Sequence, residues 1–223
     1  MMKRNSLWWR VLGGLLAAVT LSAAAWAAAP STPDGLIRQL SDDVINAVKQ
    51  DKALHDGDLQ KIGVLVDTVI MPHVDFERMT AGAVGHFWNQ ATPDQKTRLE
   101  EQFKHLLERT YSGAVTRIKD QRIVLKPLRA QPGDTEVVVQ TLIQGGGDPI
   151  QLDYRLEKVG SDWKIYDVNV MGAWLVQNYR SQFAQEISRS GIDGLIAKLE
   201  ARNQANDAAE AKSAASKGAS GKS

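Results

Sequence analysis

Ile150, Leu152, Tyr154 and Leu156 alternate with Gln151, Asp153, Arg155 and Glu157. Successive side chains of a strand point to opposite faces, so this run is a strand with one apolar and one largely wet face. The apolar face has to be covered, and that requirement limits the fold. Three further segments have strand character: Arg122 to Leu128, Glu136 to Gln144 and Trp163 to Met171. Pro132-Gly133-Asp134, Gly145-Gly146-Gly147-Asp148 and Gly160-Ser161-Asp162 separate the four. Short turns between successive strands join antiparallel neighbours, so the segments form a meander.

The cover comes from segments with the other period. Leu36, Ile37, Leu40, Val44, Ile45 and Val48 recur at helical spacing, as do Leu59, Ile62, Leu65, Val66 and Val69 in a second helix over 58–70. Pro72 stops the second helix, and a short helix follows over 76–85. Thr92-Pro93-Asp94-Gln95 is a strong helix start: Thr caps, Pro fits the first helical position and Gln95 completes a capping box. The helix it opens carries Leu99, Phe103, Leu106, Leu107, Tyr111, Ala114, Val115 and Ile118. Two last helices are expected over 173–190 and 192–203. The fold class is therefore α+β: N-terminal helices packed on a curved antiparallel sheet of about four strands, with two C-terminal helices. A twisted sheet curled over helices can enclose a deep apolar pocket.

Both ends read as separate from that fold. Lys3, Arg4 and Arg10 precede the uncharged run Val11 to Trp26, and Ala25-Trp26-Ala27 has the small-x-small pattern of a signal-peptidase site. Residues 1–27 are thus expected to be a cleaved signal peptide, cut after Ala27. The run is short for a membrane span and contains Gly13 and Gly14. The tail over 204–223 is mostly Ala, Ser, Lys, Asn and Gly and is expected to be disordered. The net charge of +1 includes the three leader cations and falls to −2 without them. That balance supplies no general pull toward nucleic acid or anionic membrane. An exported chain without cysteine suits a bacterial periplasm, where thiols are at risk of oxidation.

The catalytic and metal-binding patterns that a sequence can display are missing. Without Cys there is neither a thiolate metal site nor a thiol nucleophile. His55, His73, His86 and His105 are scattered; His73 and Asp75 alternate beside Pro72 but read as a surface pair. No catalytic residue, metal site or cofactor is expected. One enzyme reading is carried as the alternative. Strand alternation puts Asp167 and Asn169 on the face of Trp163 and Ile165, and a desolvated Asp167 would serve an isomerase or hydratase as a base. A third reading is an assembly module without ligand.

MPHVDFERM (Met71 to Met79), AVGHFWNQATPDQ (Ala83 to Gln95) and VNVMGAWLVQNYRSQFAQEI (Val168 to Ile187) resemble one family closely. So do RTYSGAV (Arg109 to Val115), KPLRAQPGDTEVVV (Lys126 to Val139) and IQLDYRLEK (Ile150 to Lys158). The chain is similar to MlaC proteins, the periplasmic phospholipid-binding component of the Mla (maintenance of lipid asymmetry) pathway, also called the toluene-tolerance auxiliary family. The resemblance spans roughly Pro33 to Asn203 in several ordered blocks, which makes 33–203 a single lipid-binding domain. It implies a deep apolar pocket holding the acyl chains of a phospholipid as cargo, with the phosphate near solvent, and no catalytic activity. It also implies partners: an inner-membrane ABC-transporter complex with an MCE-domain protein, and an outer-membrane lipoprotein associated with a porin. The carrier is expected to be a monomer that binds no nucleic acid. A carrier of another bilayer lipid, such as a hopanoid, is the neighbouring alternative.

With that pocket implied, the strand and helix faces assign its lining to Phe103, Leu107, Tyr111, Leu152, Tyr154, Val168, Val170, Trp174 and Leu175. Tyrosine hydroxyls are expected at the mouth, and Arg109 and Arg117 are candidate head-group contacts. Gly82 and Gly85 flank the short helix and are candidate hinges or close-packing positions.

Overall fold

A computed structural model describes residues 32–118, 120–145 and 148–220, with no side-chain description at 210, 211 and 213–220. The expected signal peptide over 1–27 lies outside the described residues. α1 (Pro33–Gln50) is capped by the Thr32 hydroxyl, and α2 (Lys52–Asp56) and α3 (Leu59–Leu65) by the carboxylates of Asp51 and Asp58. α3 widens into one π turn (Val66–Ile70), followed by a 3-10 turn (Met71–His73). α4 (Phe76–Val84), a 3-10 turn (Gly85–Gln90) and α5 (Pro93–Val115) complete the first half. The capping box at Thr92 and Gln95 forms as the sequence indicates, both halves being present.

β1 (Arg122–Leu125), β2 (Glu136–Gln144), β3 (Ile150–Val159), β4 (Asp162–Val170) and β5 (Ala173–Trp174) form an antiparallel sheet in that order. The expected four strands are all there; β5 is a two-residue addition. Beyond it α6 (Leu175–Ser220) bends sharply at Gly191, where φ is +74°. Only glycine adopts that value without cost, so the two expected C-terminal helices meet at this residue.

The tail expected to lack structure is helical as far as Ser220. Its alanines and lysines favour helix, and Asp207 anchors it by pairing with Arg109 and, at 3.4 Å, with His105. Between the first two helices expected from the sequence, Lys52–Asp56 forms α2, which ends on Gly57 at φ +86°.

The apolar interior is divided into three groups. Met79, Ala83, Trp88, Leu99, Phe103, Leu106, Tyr179, Phe183, Ile187, Ile196 and Leu199 join α4, α5 and α6. Leu36, Ile37 and Leu40 of α1 lie on Val137, Val139, Leu156, Trp163 and Ile165 of the sheet. Val48, Leu54, Ile62 and Leu65 tie α1, α2 and α3 together. A domain usually has one contiguous core. Here the groups meet through half-buried side chains: Val74 and Val168 join the first to the second, and Val44 and Val69 the second to the third.

The kink of α6 is held by Glu186, which binds the Arg189 guanidinium at 2.7 Å, the Ser190 hydroxyl at 2.7 Å and the Lys198 ammonium at 2.5 Å across the bend. These bonds hold its carboxyl down at about 2. A depressed carboxyl pKa contributes stability above its unfolded value of 4.5 and loses it as pH falls toward 2. Glu186→Gln should therefore lower the thermal midpoint at neutral pH and flatten its decline between pH 4.5 and about 2. Thermal melts of both proteins across that window check this; parallel curves would remove Glu186 from the account.

Candidate apolar lipid site

The pairing register decides which strand residues share the covered face. Val137 pairs with Leu156, Val139 with Tyr154, Thr141 with Leu152 and Ile143 with Ile150. From β3 to β4, Leu156 pairs with Ile165, but Tyr154 pairs with Val168 and Leu152 with Val170. The register shifts between Arg155 and Leu156, so Tyr166 is an extra residue in β4. A bulge of this kind moves every later side chain to the other face. Val168 and Val170 therefore stand on the apolar face with Trp163 and Ile165, and Asp167 and Asn169 on the opposite one. The alternation-based placement of Asp167 beside Trp163 and Ile165 is corrected by the bulge.

Asp167 is almost fully buried and has a full set of partners. One oxygen accepts from the amides of Val168 at 2.9 Å and Val176 at 3.1 Å; the other accepts from Arg155 at 3.0 Å. Burial pushes its carboxyl up, against these bonds and the Arg155 charge. Its geometry is that of an anchor for the start of α6. The Arg155 guanidinium also lies 4.0 Å from the centre of the Trp174 ring, closing this face.

Burial on the apolar face is graded along the strands. Val137, Val139, Leu156, Trp163 and Ile165 are buried beneath α1. Tyr154 and Val168 are half-buried. Ile123, Leu125, Ile143, Leu152 and Val170 are half-buried farther along, and Ile150 is 40% exposed. Met171, at the β4–β5 turn with φ +53°, is 74% exposed. Burial thus thins toward Ile150 and Met171, leaving an apolar ledge that leads inward toward Val168, which borders both the sheet group and the helical group.

The nine residues assigned from the sequence divide accordingly. Leu152, Tyr154, Val168 and Val170 share the graded face. Leu107 and Val168 both border the α4–α5–α6 group. Tyr111 is half-buried one turn farther along α5, its hydroxyl pKa raised by burial and then by Tyr179. Phe103 is fully buried, with its ring centre 4.9 Å from that of Tyr179 and 5.3 Å from that of Phe183; it is the floor of the helical core. Leu175 is buried at the start of α6. Trp174 pairs with Asn169 and stacks under Arg155 on the opposite face, apart from the rest.

The polar expectations shift as well. The Tyr154 hydroxyl hydrogen-bonds with Ser41 of α1 and is driven far above its usual range by burial, so it does not stand at a mouth. Arg109 faces a recess of about 580 Å³ shared with Gly57, Ser112, Thr116, Arg202 and Asn206. A second recess of about 520 Å³ lies by Arg129, Glu136, Gln140 and Tyr166. Neither recess is lined by any of the nine. Arg117 is exposed just past the end of α5.

Gly82 packs closely: a Cβ there would stand 2.9 Å from Val176, and its carbonyl accepts from Arg180 at 2.8 Å. Asp75 caps α4 by accepting from the Arg78 amide. The pKa of His73 is lowered by burial and then by the Lys164 charge. Ile123, Leu125, Ile143, Ile150 and Met171 lie outside the sequence-based lining, although the alternation of β1 and β2 carries the signal for the first three; Ile123 and Leu125 also pack against the α1–sheet group.

Comparison with known proteins gives one consistent answer. The family described as "MlaC protein" matches residues 38–201. The toluene tolerance protein ttg2D of Pseudomonas putida is 26% identical over 186 residues, which are 80% of this chain and 86% of that protein. The intermembrane phospholipid transport system binding protein MlaC of Haemophilus influenzae is 22% identical over 198 residues, 86% of this chain and 91% of that one. The solved structure of a phospholipid-binding protein from Ralstonia solanacearum, in complex with a phospholipid, superimposes with a TM-score of 0.75 at 44% identity, covering 77% of this chain and 96% of that one.

The anchoring role of Asp167 can be tested apart from any ligand. Asp167→Ala removes the acceptor of two buried amides and the partner of Arg155, and should cost about 1–3 kcal/mol in urea unfolding. Asp167→Asn keeps an acceptor oxygen and should cost less. An alanine variant as stable as the parent would contradict the anchor.

Proposed function

The chain belongs to the MlaC family, and from that premise we propose that it is a phospholipid carrier of the bacterial periplasm. It collects lipid at one membrane and delivers it to the other, between an inner-membrane ABC-transporter complex with an MCE-domain protein and an outer-membrane lipoprotein complex with a porin. The observation that carries the reading is the graded apolar face. A sheet surface buried at one end and open at the other, adjoining a seam between separate apolar groups, gives acyl chains a place to lie and a route to it. The phospholipid complex of the Ralstonia solanacearum relative supports the same cargo.

Elementary energetics suit the role. Two acyl tails hold about 30 methylenes; at about 0.8 kcal/mol each, exposing them to water costs roughly 24 kcal/mol. An unassisted lipid therefore does not cross an aqueous compartment at a useful rate. The carrier need only offer a surface about as apolar as the bilayer, and transfer in or out is then near balance. Direction comes from the partners. Among the described residues no helix is long and apolar enough to cross a membrane.

Organic extraction and mass spectrometry of the purified protein should yield phospholipid at about one per chain or a small integer multiple. A hopanoid in its place would keep the carrier and change the cargo. An empty, folded protein that takes up no lipid from vesicles would remove the proposal. Leu152→Arg puts a charge on the half-buried ledge, where a long side chain can keep its head in water, so the variant should fold yet lose bound lipid. Full retention by that variant would move the site elsewhere.

A further inference from the structure

α5 carries a stripe at spacings of four, three and four residues: Lys104, Glu108, Tyr111 and Val115. Its first half faces the π turn. The Lys104 ammonium binds the Asp67 carboxylate at 2.6 Å and lies 3.8 Å from that of Glu108. Its last member, Val115, packs on the α1–α3 group at the end of α5 near Gly57, and Val66 and Val69 of the π turn border the same group. One turn beyond Lys104, one oxygen of Glu108 is buried without a hydrogen-bond partner. Burial raises its pKa, an effect opposed first by Lys104 and reinforced by Asp67. The seam is thus fastened by one ion pair and poorly matched beside it.

What lies against the seam is the junction of the apolar groups. Val69 belongs to two of them, and Leu107, one turn from the stripe, borders the third together with Val168. The covering element is suited to movement. A π turn is rarely kept in a helix except where function uses it. This one is followed by a 3-10 turn and then by Val74, which pairs with Ile165 of β4. The π turn can therefore swing away from α5 between two fixed points, α3 and the Val74–Ile165 bridge, without unravelling either.

Resting on the carrier reading above, we propose that the seam between α5 and the π turn, fastened by Lys104 and Asp67, is the gate through which acyl chains enter and leave the apolar junction. Lys104 and Asp67 are positioning residues in this scheme; they hold the cover and do not touch the lipid tails.

The chain contains no cysteine, so an introduced pair reports without background. The double variant Asp67→Cys and Lys104→Cys, loaded with labelled phospholipid and joined by a short reducible bis-methanethiosulfonate cross-linker, is mixed with acceptor vesicles. Cross-linking should slow lipid release about tenfold or more, and reduction should restore it, as expected when a closing segment controls exchange. The single variant Lys104→Met should release lipid about two- to fivefold faster than the parent, the scale of one lost exposed ion pair. Circular dichroism and lipid content before mixing show that each variant is folded and loaded. Release from the cross-linked protein at the reduced protein's rate overturns the gate while leaving the carrier intact. A parent protein that loads no lipid overturns the carrier reading and the gate with it.

Discussion

The one-residue bulge at Tyr166 governs much of this molecule. Without it, β4 would turn Val168 and Val170 away from the apolar face and bring Asp167 and Asn169 onto it, placing a carboxylate among Tyr154, Leu156 and Leu152. With it, the apolar face runs unbroken from Trp163 to Val170, while Asp167 reaches the amides at the start of α6. The same residue count thus sets the greasiness of the ledge and the attachment of the last helix. Tyr166 itself is held on the outer face: the Arg78 guanidinium lies 3.7 Å from its ring centre, and its hydroxyl is 3.3 Å from Glu136. Arg78 also pairs with Glu157 and Glu136, so a small ionic cluster from α4, β2 and β3 brackets the bulge.

Much of this architecture could be read from the chain because it depends on local rules. The alternation of Ile150 to Glu157, the turn residues between strands, the Thr92 capping box and the glycine at 191 each act over a few residues, and each appears where those rules put it. The bulge does not have that property. It is a relation between β3 and β4, and nothing in residues 162–170 alone says which of them is the extra one. Trp174 reads as apolar lining because an indole is mostly apolar; its partner Arg155 lies nineteen positions earlier, and only the strand pairing brings the two together. The π turn reads as ordinary helix in sequence because Val66 and Val69 satisfy a 3.6-residue period as well as a wider one. The helical form of the tail is not legible in composition: alanine and lysine are compatible with disorder but equally with helix, and the contacts that dock it, from His105 and Arg109 to Asp207, are about a hundred residues apart in the chain.

The site residues follow the same division. Leu152, Tyr154, Val168 and Val170 were assigned from periodicity and do share a face, although for the last two this depends on the bulge rather than on simple alternation. Phe103 has the same periodicity and stands among the core rings of Tyr179, Phe183 and Phe76. Periodicity identifies the side of a helix that is turned inward. It does not distinguish a side chain that meets other side chains from one that meets a ligand.

That distinction rests on how the interior is partitioned. A single close-packed core maximises dispersion contacts and leaves no room for cargo. Three groups that touch through Val44, Val69, Val74 and Val168 forgo part of that stabilisation along their boundaries. The loss is offset by ionic and hydrogen-bonded ties placed at the joints: Asp167 between the sheet and α6, and Lys104 with Asp67 between α5 and the π turn. Ties of this kind are directional and separate over a short distance, whereas apolar contact is lost gradually with area. A protein joined this way keeps each group intact while a boundary opens, and an acyl chain entering such a boundary replaces protein–protein contacts with protein–lipid contacts of the same chemistry. Binding then needs little net change in buried apolar area, so the cargo is held without being trapped.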